Sequence, residues 1–277
     1  MSTSTTPSAT SQELANDFGD GVAIGEQHYR AWVGPPEYYD RIGALQFRML
    51  TQLGMRETHR LADVGCGSLR GGRLSIMYLR PGNYYGVEPT SWALHDGIAA
   101  HLGTEFVGMK RPTFLEDADY SLEKFGVQFD FVNVHSVFTH APGNHIRRCL
   151  QQARACMHEK SIFAATYLES DTDHVGEEFV YPWVTQFRRD SIEKWVTDAG
   201  LRCIHLDLGH PFDQRWFLAV DPANDIDAAA LLAGEVYSYE TYLQDEMEAF
   251  GGSRRSYADY LREDLARQSA GKRNLPR

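Results

Sequence analysis

The chain has 277 residues, 27 basic against 38 acidic side chains, and a formal charge of −11. That length suits one α/β domain with appendages and can bury a large core without disulfide staples. The acidic balance argues against bulk attraction to nucleic acid or to an anionic membrane, and no apolar run approaches the ~20 residues of a bilayer span.

Residues 1–20 read as a disordered tail, because the first eleven are almost all Ser, Thr, Ala and Pro. A helical cover is expected over residues 21–58. It breaks at Gly34-Pro35-Pro36, after which Tyr39, Ile42, Leu45, Gln46, Met49, Leu50 and Leu53 recur at helical spacing before a stop at Gly54. The core is expected over 59–223. Short apolar runs at 61–65, 83–88, 112–115, 129–134 and 161–167 alternate with helical segments at 73–79, 92–102 and 145–158. Strands separated by helices of this length imply βαβ units and a mostly parallel sheet. A helix follows at 190–199, with Asp190 as its N-cap and Gly200 past its end. Two further strand-like runs, 202–208 and 215–220, are joined by Gly209-His210-Pro211-Phe212-Asp213. That loop is too short for a parallel crossover, so an antiparallel hairpin closes the sheet. Residues 224–277 read as a charged, helical C-terminal extension.

Four cysteines (Cys66, Cys149, Cys156, Cys203) form no CxxC pair. They read as reduced thiols of a cytoplasmic protein, and no metal site is expected. The first Lys or Arg is Arg30, so no basic signal or transit segment is expected either.

The informative segment is Asp63-Val64-Gly65-Cys66-Gly67-Ser68-Leu69-Arg70-Gly71-Gly72. A strand running into several glycines before a helix lets backbone N–H groups approach a ligand, because no Cβ blocks the way. The phosphate-loop pattern GxxxxGK[ST] is absent. The dinucleotide pattern GxGxxG is nearly met, with Arg70 in place of its third glycine. Glu88 stands 23 residues after Gly65, where an acid would bind a ribose diol. These residues alone suit either NAD or S-adenosylmethionine.

Residues 61–72 resemble motif I of the class I S-adenosylmethionine-dependent methyltransferases. Val87-Glu88-Pro89 resembles their acidic post-motif, and 129–140 resembles their motif IV region. The likeness spans roughly residues 40–220 and extends to a bacterial subgroup with varied small-molecule and natural-product acceptors. It implies a Rossmann-like, seven-stranded, mostly parallel sheet with an antiparallel last strand, and S-adenosylmethionine as cofactor. It further implies that Gly65, Cys66, Gly67 and Ser68 cradle the amino-acid end of the cofactor and that Asp63 holds the loop or meets the ammonium group. Glu88 would take both ribose hydroxyls, Asp117 the adenine amine, and Arg70 either the cofactor carboxylate or solvent. His135 and Ser136 would sit beside the methionine portion.

On the acceptor side, Glu169 at the end of strand five is the first candidate base and His140 the second. Tyr29, Trp32, Tyr167 and Trp216 are candidate acceptor contacts, whereas His28, His174 and His210 read as surface histidines. The expected activity is methylation of a small molecule. Nucleic-acid methylation and non-catalytic cofactor binding are the alternatives, and a homodimer is expected.

Overall fold

The computed structural model describes residues 17–232. The expectations for 1–16 and for most of the C-terminal extension lie outside the described residues. Seven strands form one sheet: β1 (Leu61–Val64), β2 (Tyr84–Val87), β3 (Thr113–Leu115), β4 (Phe129–Val134), β5 (Met157–Leu168), β6 (Arg202–Leu206) and β7 (Gln214–Val220). Their order is β3-β2-β1-β4-β5-β7-β6. The first five pair in parallel, and β7 runs antiparallel to both β5 and β6. The hairpin therefore closes the sheet with β7 inserted between β5 and β6.

Alternation along the strands divides the core in two. Ala62, Val64, Val132, Val134, Phe163, Ala165, Phe217 and Ala219 face one side, where α5 (Gly143–Ala155) and α6 (Arg189–Asp198) cover them. Leu61, Phe131, Ile162, Ala164, Trp216, Leu218 and Val220 face the other. There α1 (Tyr39–Gln52), α2 (Gly72–Tyr78), α3 (Ser91–His101) and the short α7 (Ala228–Leu232) pack on them. A period of two on both faces is what a sheet buried on both sides requires.

The structure differs from expectation in three local respects. The helical segment after β2 is two helices, because α4 (Gly103–Lys110) follows α3 across a Gly103 at φ +72°. Strand β5 begins four residues earlier than the apolar run, at Met157. Asp190 lies within the first turn of α6 and is not its cap; Arg188 precedes the helix with no side-chain cap.

Helix α1 packs against the backbone that links β1 to α2. A Cβ on Gly43 would collide with the carbonyl of Arg70, and one on Gly97 of α3 would collide with the carbonyl of Ser68. The two helices thus grip residues 68–70 from separate directions. Tyr39 completes the contact: its buried hydroxyl donates to the Ser68 carbonyl at 2.8 Å. The guanidinium groups of Arg30 and Arg73 lie over its ring, each 4.8 Å from the centroid. Asp40 binds both arginines, at 2.9 and 2.6 Å.

Gly43→Ala would force α1 off this backbone. Overpacking of this kind costs about 1–3 kcal/mol. The variant should show that loss in chemical denaturation, and its ligand affinity should fall although residue 43 does not line the cavity described next.

Candidate functional site

A cavity of about 440 Å³ opens at the carboxyl ends of β1, β2 and β4. Asp63, Gly65, Cys66, Gly67, Arg70, Glu88, Asp117, His135, Ser136, His140 and Trp32 all line it. Register explains the placement of Asp63, which lies opposite Gly86 on β2 and Asn133 on β4. Its carboxylate accepts the Tyr84 hydroxyl at 2.7 Å and the Asn133 amide at 2.8 Å. Burial nevertheless raises its pKa.

The glycine loop uses its own donors internally. Gly65 and Cys66 N–H groups both bind the Val87 carbonyl, at 2.8 and 3.1 Å, and the Gly67 N–H binds Glu88 Oε2 at 2.9 Å. Those three N–H groups are therefore directed at β2, not at a ligand. Gly65 and Gly67 adopt φ +67° and +53°, and a Cβ on either would strike Val137 or Val33, so the loop can be closed this tightly only by glycine. Glu88 Oε1 also accepts the Thr90 N–H at 2.9 Å. Its pKa is raised by burial, against the pull of these two bonds. Asp117 differs: burial raises it, but hydrogen bonds from Lys124, Ser121 and Asp119 outweigh that and hold it at about 2.

Several expected site residues stand elsewhere. Ser68 is fully buried but turned toward α1 and α3 and does not line the cavity. Glu169 is exposed, 3.6 Å from Arg215, and bridged through its backbone to Phe187, so the chain has left the cavity by that point. Tyr167 points into the α5–α6 face, against Phe217 and His205. Trp216 lies under the site on the opposite face, its ring tilted against His135 at 5.0 Å, and its indole N–H finds no acceptor among the described residues. Tyr29 packs on His28, Tyr39 and His101 and donates to the Asp17 carbonyl. These five belong to the packing and surface of the fold, and only Trp32 of the expected acceptor contacts reaches the cavity.

Arg70 is buried. Its guanidinium donates to the Val33 carbonyl and lies 3.3 Å from His135 Nδ1. The solvent-facing alternative for this residue is thereby overturned. His135 Nε2 meets His210 Nε2 at 3.1 Å, and the Phe212 N–H meets His210 Nδ1 at 3.2 Å. His210 is fully buried, not a surface histidine. A neutral imidazole carries one ring proton. If Arg70 and Phe212 both donate to Nδ1 atoms, two Nε2–H groups would face each other, so one of the outer contacts is a weak one. Burial first, then the neighbouring histidine and Arg70, push the pKa of His135 well below its ordinary value; burial and Arg70 do so for His210.

His140 is buried as well. Its Nδ1 lies 2.6 Å from the Trp183 carbonyl, which can only accept, so that nitrogen carries the proton. Burial, opposed by this bond, brings its pKa down to about 4.

No protein-family model and no curated protein sequence matches the chain. Solved structures do. Magnesium protoporphyrin IX methyltransferase from Synechocystis PCC 6803, with bound S-adenosylhomocysteine, superposes with a TM-score of 0.54 at 14% identity, covering 75% of this chain and 94% of that one. A glycopeptide N-methyltransferase complexed with S-adenosylmethionine gives 0.51 at 12% identity, covering 65% and 94%. A Clostridium acetobutylicum S-adenosylmethionine-dependent methyltransferase gives 0.50 at 11%, covering 66% and 92%. The chain has the class I methyltransferase fold.

Within that fold, the cavity contains further residues beyond the candidates named above. Gln46 arrives from α1, and His145 from α5, where it is bonded to the Tyr120 hydroxyl at 3.2 Å. Phe179 and Tyr181 come from the loop 169–188, and Phe212 and Gln214 from the hairpin.

The buried neutral histidines make stability pH-dependent. In the unfolded chain they bind protons below about pH 6.5, whereas folded His135, His140 and His210 resist protonation. Their contribution is complete above pH 6.5 and is lost as pH falls toward about 4. Asp63 and Glu88, with raised pKa values, act in the opposite sense but are fewer. Each histidine contributes up to about 1.4 kcal/mol per pH unit in this window. Denaturant unfolding should therefore give a clearly lower free energy at pH 5 than at pH 7, and the difference should shrink in His210→Gln.

Proposed function

We propose that the protein is an S-adenosylmethionine-dependent methyltransferase acting on a small molecule. The observation that carries this reading is Glu88. It stands at the end of β2, buried on the cavity wall, with its two oxygens braced by the N–H groups of Gly67 and Thr90. A braced carboxylate retains lone pairs directed at a vicinal diol and loses little freedom on binding one. The residues around it fit the rest of the cofactor. Asp117, held ionised, would accept the adenine amine. Arg70 would meet the amino-acid carboxylate, and Asp63 would support the ammonium end. The compact turn at Gly65 and Gly67 leaves room for a ligand that a Cβ-bearing turn could not form around.

Bound S-adenosylmethionine supplies an electrophilic methyl group on sulfur. The chain's own part is to bind, align and exclude water. Alignment alone can provide much of the rate, since effective molarities for oriented groups are worth several kcal/mol. The N-terminal segment contributes to this enclosure: Trp32, Val33 and Gly34 line the cavity, and Tyr181 donates its hydroxyl hydrogen to the Trp32 carbonyl across the mouth. His140 and His135 both line the cavity, and burial keeps them neutral near pH 7. The free state of all four cysteines is in keeping with a cytoplasmic location. No helix among the described residues is long and apolar enough to cross a membrane.

Calorimetric titration tests the reading. S-adenosylhomocysteine should bind and NAD should not. Glu88→Ala removes charge-assisted bonds worth about 1.5–3 kcal/mol, so its dissociation constant should rise about tenfold to a hundredfold with the fold preserved. Tight NAD binding without an S-adenosylhomocysteine signal would refute the proposal.

A further inference from the structure

The N–H groups of Gly65, Cys66 and Gly67 are engaged by the Val87 carbonyl and by Glu88. A carboxylate lodged at the glycine loop must therefore draw its donors from elsewhere, since a buried anion needs them. The acids suited to a nucleoside, Asp117 and Glu88, stand just past β3 and β2. Arg70 reaches the other way, to His135 just past β4. A ligand whose adenosine lies against Glu88 thus extends its amino-acid chain toward the Arg70 end.

Helix α1 delivers a second polar group to that end. Tyr39, Gly43 and Gln46 share one face at helical spacing and meet successive residues of the loop. The Tyr39 hydroxyl bonds the Ser68 carbonyl, a Cβ on Gly43 would strike the Arg70 carbonyl, and a Cβ on Gly71 would strike Gln46 Oε1. Gln46 is only 6% exposed, yet it lines the cavity. Its carboxamide has no hydrogen-bond partner among the described residues, and neither amide atom is sealed within the packing. Buried carboxamides are almost always satisfied, because leaving one bare is costly. The amide of Gln46 therefore opens onto the space a ligand would fill, one residue along the loop from Arg70. A carboxamide offers two N–H donors, which suit a carboxylate and leave a neighbouring ammonium to Asp63.

We propose that Gln46 is a cofactor-binding residue whose N–H groups donate to the α-carboxylate of S-adenosylmethionine and make that carboxylate a requirement for tight binding. The inference rests on the methyltransferase reading above. It gives α1 a direct part in choosing the ligand: the helix that shapes the loop also reads the end of the cofactor remote from adenine.

Three ligands that share the adenosine test this by calorimetry. S-adenosylhomocysteine carries both amino-acid groups, its decarboxylated analogue keeps only the amine, and methylthioadenosine has neither. Gln46→Leu is close in size and removes the donors. It should weaken S-adenosylhomocysteine about tenfold or more, as loss of a hydrogen bond to a charged group does, and change the other two less than twofold. Gln46→Glu keeps the shape and sets a like charge against the carboxylate. It should weaken S-adenosylhomocysteine further and leave the decarboxylated analogue bound at least as tightly as by the native chain. Unchanged S-adenosylhomocysteine affinity in Gln46→Leu, or an equal loss for all three ligands, overturns the inference while the cofactor reading stands. If Gln46→Leu does not fold, Gln46→Glu decides: equal losses for S-adenosylhomocysteine and its decarboxylated analogue overturn the inference. Failure of the native chain to bind S-adenosylhomocysteine overturns both.

Discussion

The site depends on a contact between backbones. The main chain of residues 68–70 is held on two sides, by Gly43 of α1 against Arg70 and by Gly97 of α3 against Ser68. Interiors are packed at crystal-like density, so two atoms added at such a junction are not absorbed locally. The Tyr39 hydroxyl, accepting from His101 Nε2 at 3.0 Å while donating to Ser68, ties the two helices to the same carbonyl. From this grip the loop passes its shape outward. Leu69 is held at φ +63°, Arg70 is turned into the cavity, and the Gly67 N–H is delivered to Glu88. Strained conformations of this kind persist only where the surroundings over-determine them.

Below the cavity floor the structure sets a second constraint, an electrostatic one. Arg70 brings a fixed positive charge into a region where charge is expensive, and the side chains packed around it answer with neutral rings. His135, His210 and Trp216 form a cluster of tilted and edge-on rings, with centroids 5.0–6.3 Å apart, that fills space without adding a second charge. The acids stand on the other flank, each fixed by donors of its own. Among the described residues, one ligand-sized space thus has carboxylates on one flank and a guanidinium among uncharged rings on the other, and the sheet's topology decides which strand ends belong to which.

The alternation of strands and helices was legible because buried parallel strands are short apolar runs ended by glycines, and the motif at 63–72 stood out on composition alone. Other features had no such signature. Helix α4 buries none of its residues, so it carries no apolar stripe, and Gly103 reads as a stop. The first residues of β5 include the partly exposed His158, Glu159 and Lys160. Glu169 was misplaced because the end of a strand specifies where the chain is, not where the next side chain points. After the buried Leu168, alternation carries Glu169 outward, toward Arg215. Trp216 shares its face with Leu218 and Val220, a period of two that puts it in the core, whereas its proximity to the hairpin suggested an acceptor contact. His210 depends on how the turn 207–213 folds back under β4, and no local pattern encodes that.

The Gly43 contact also bears on modularity. An N-terminal segment ahead of a Rossmann-like core looks like an interchangeable attachment, a part that could be trimmed or exchanged to alter acceptor choice. Here the segment that lines the cavity, through Trp32 and Val33, is continuous with the helix that shapes the glycine loop. Grafting a foreign cover at the start of β1 would remove both at once. The exchangeable unit ends before Tyr39, in the turns around Gly34 and Pro36, and a chimaera joined there retains the helix on which the loop is moulded.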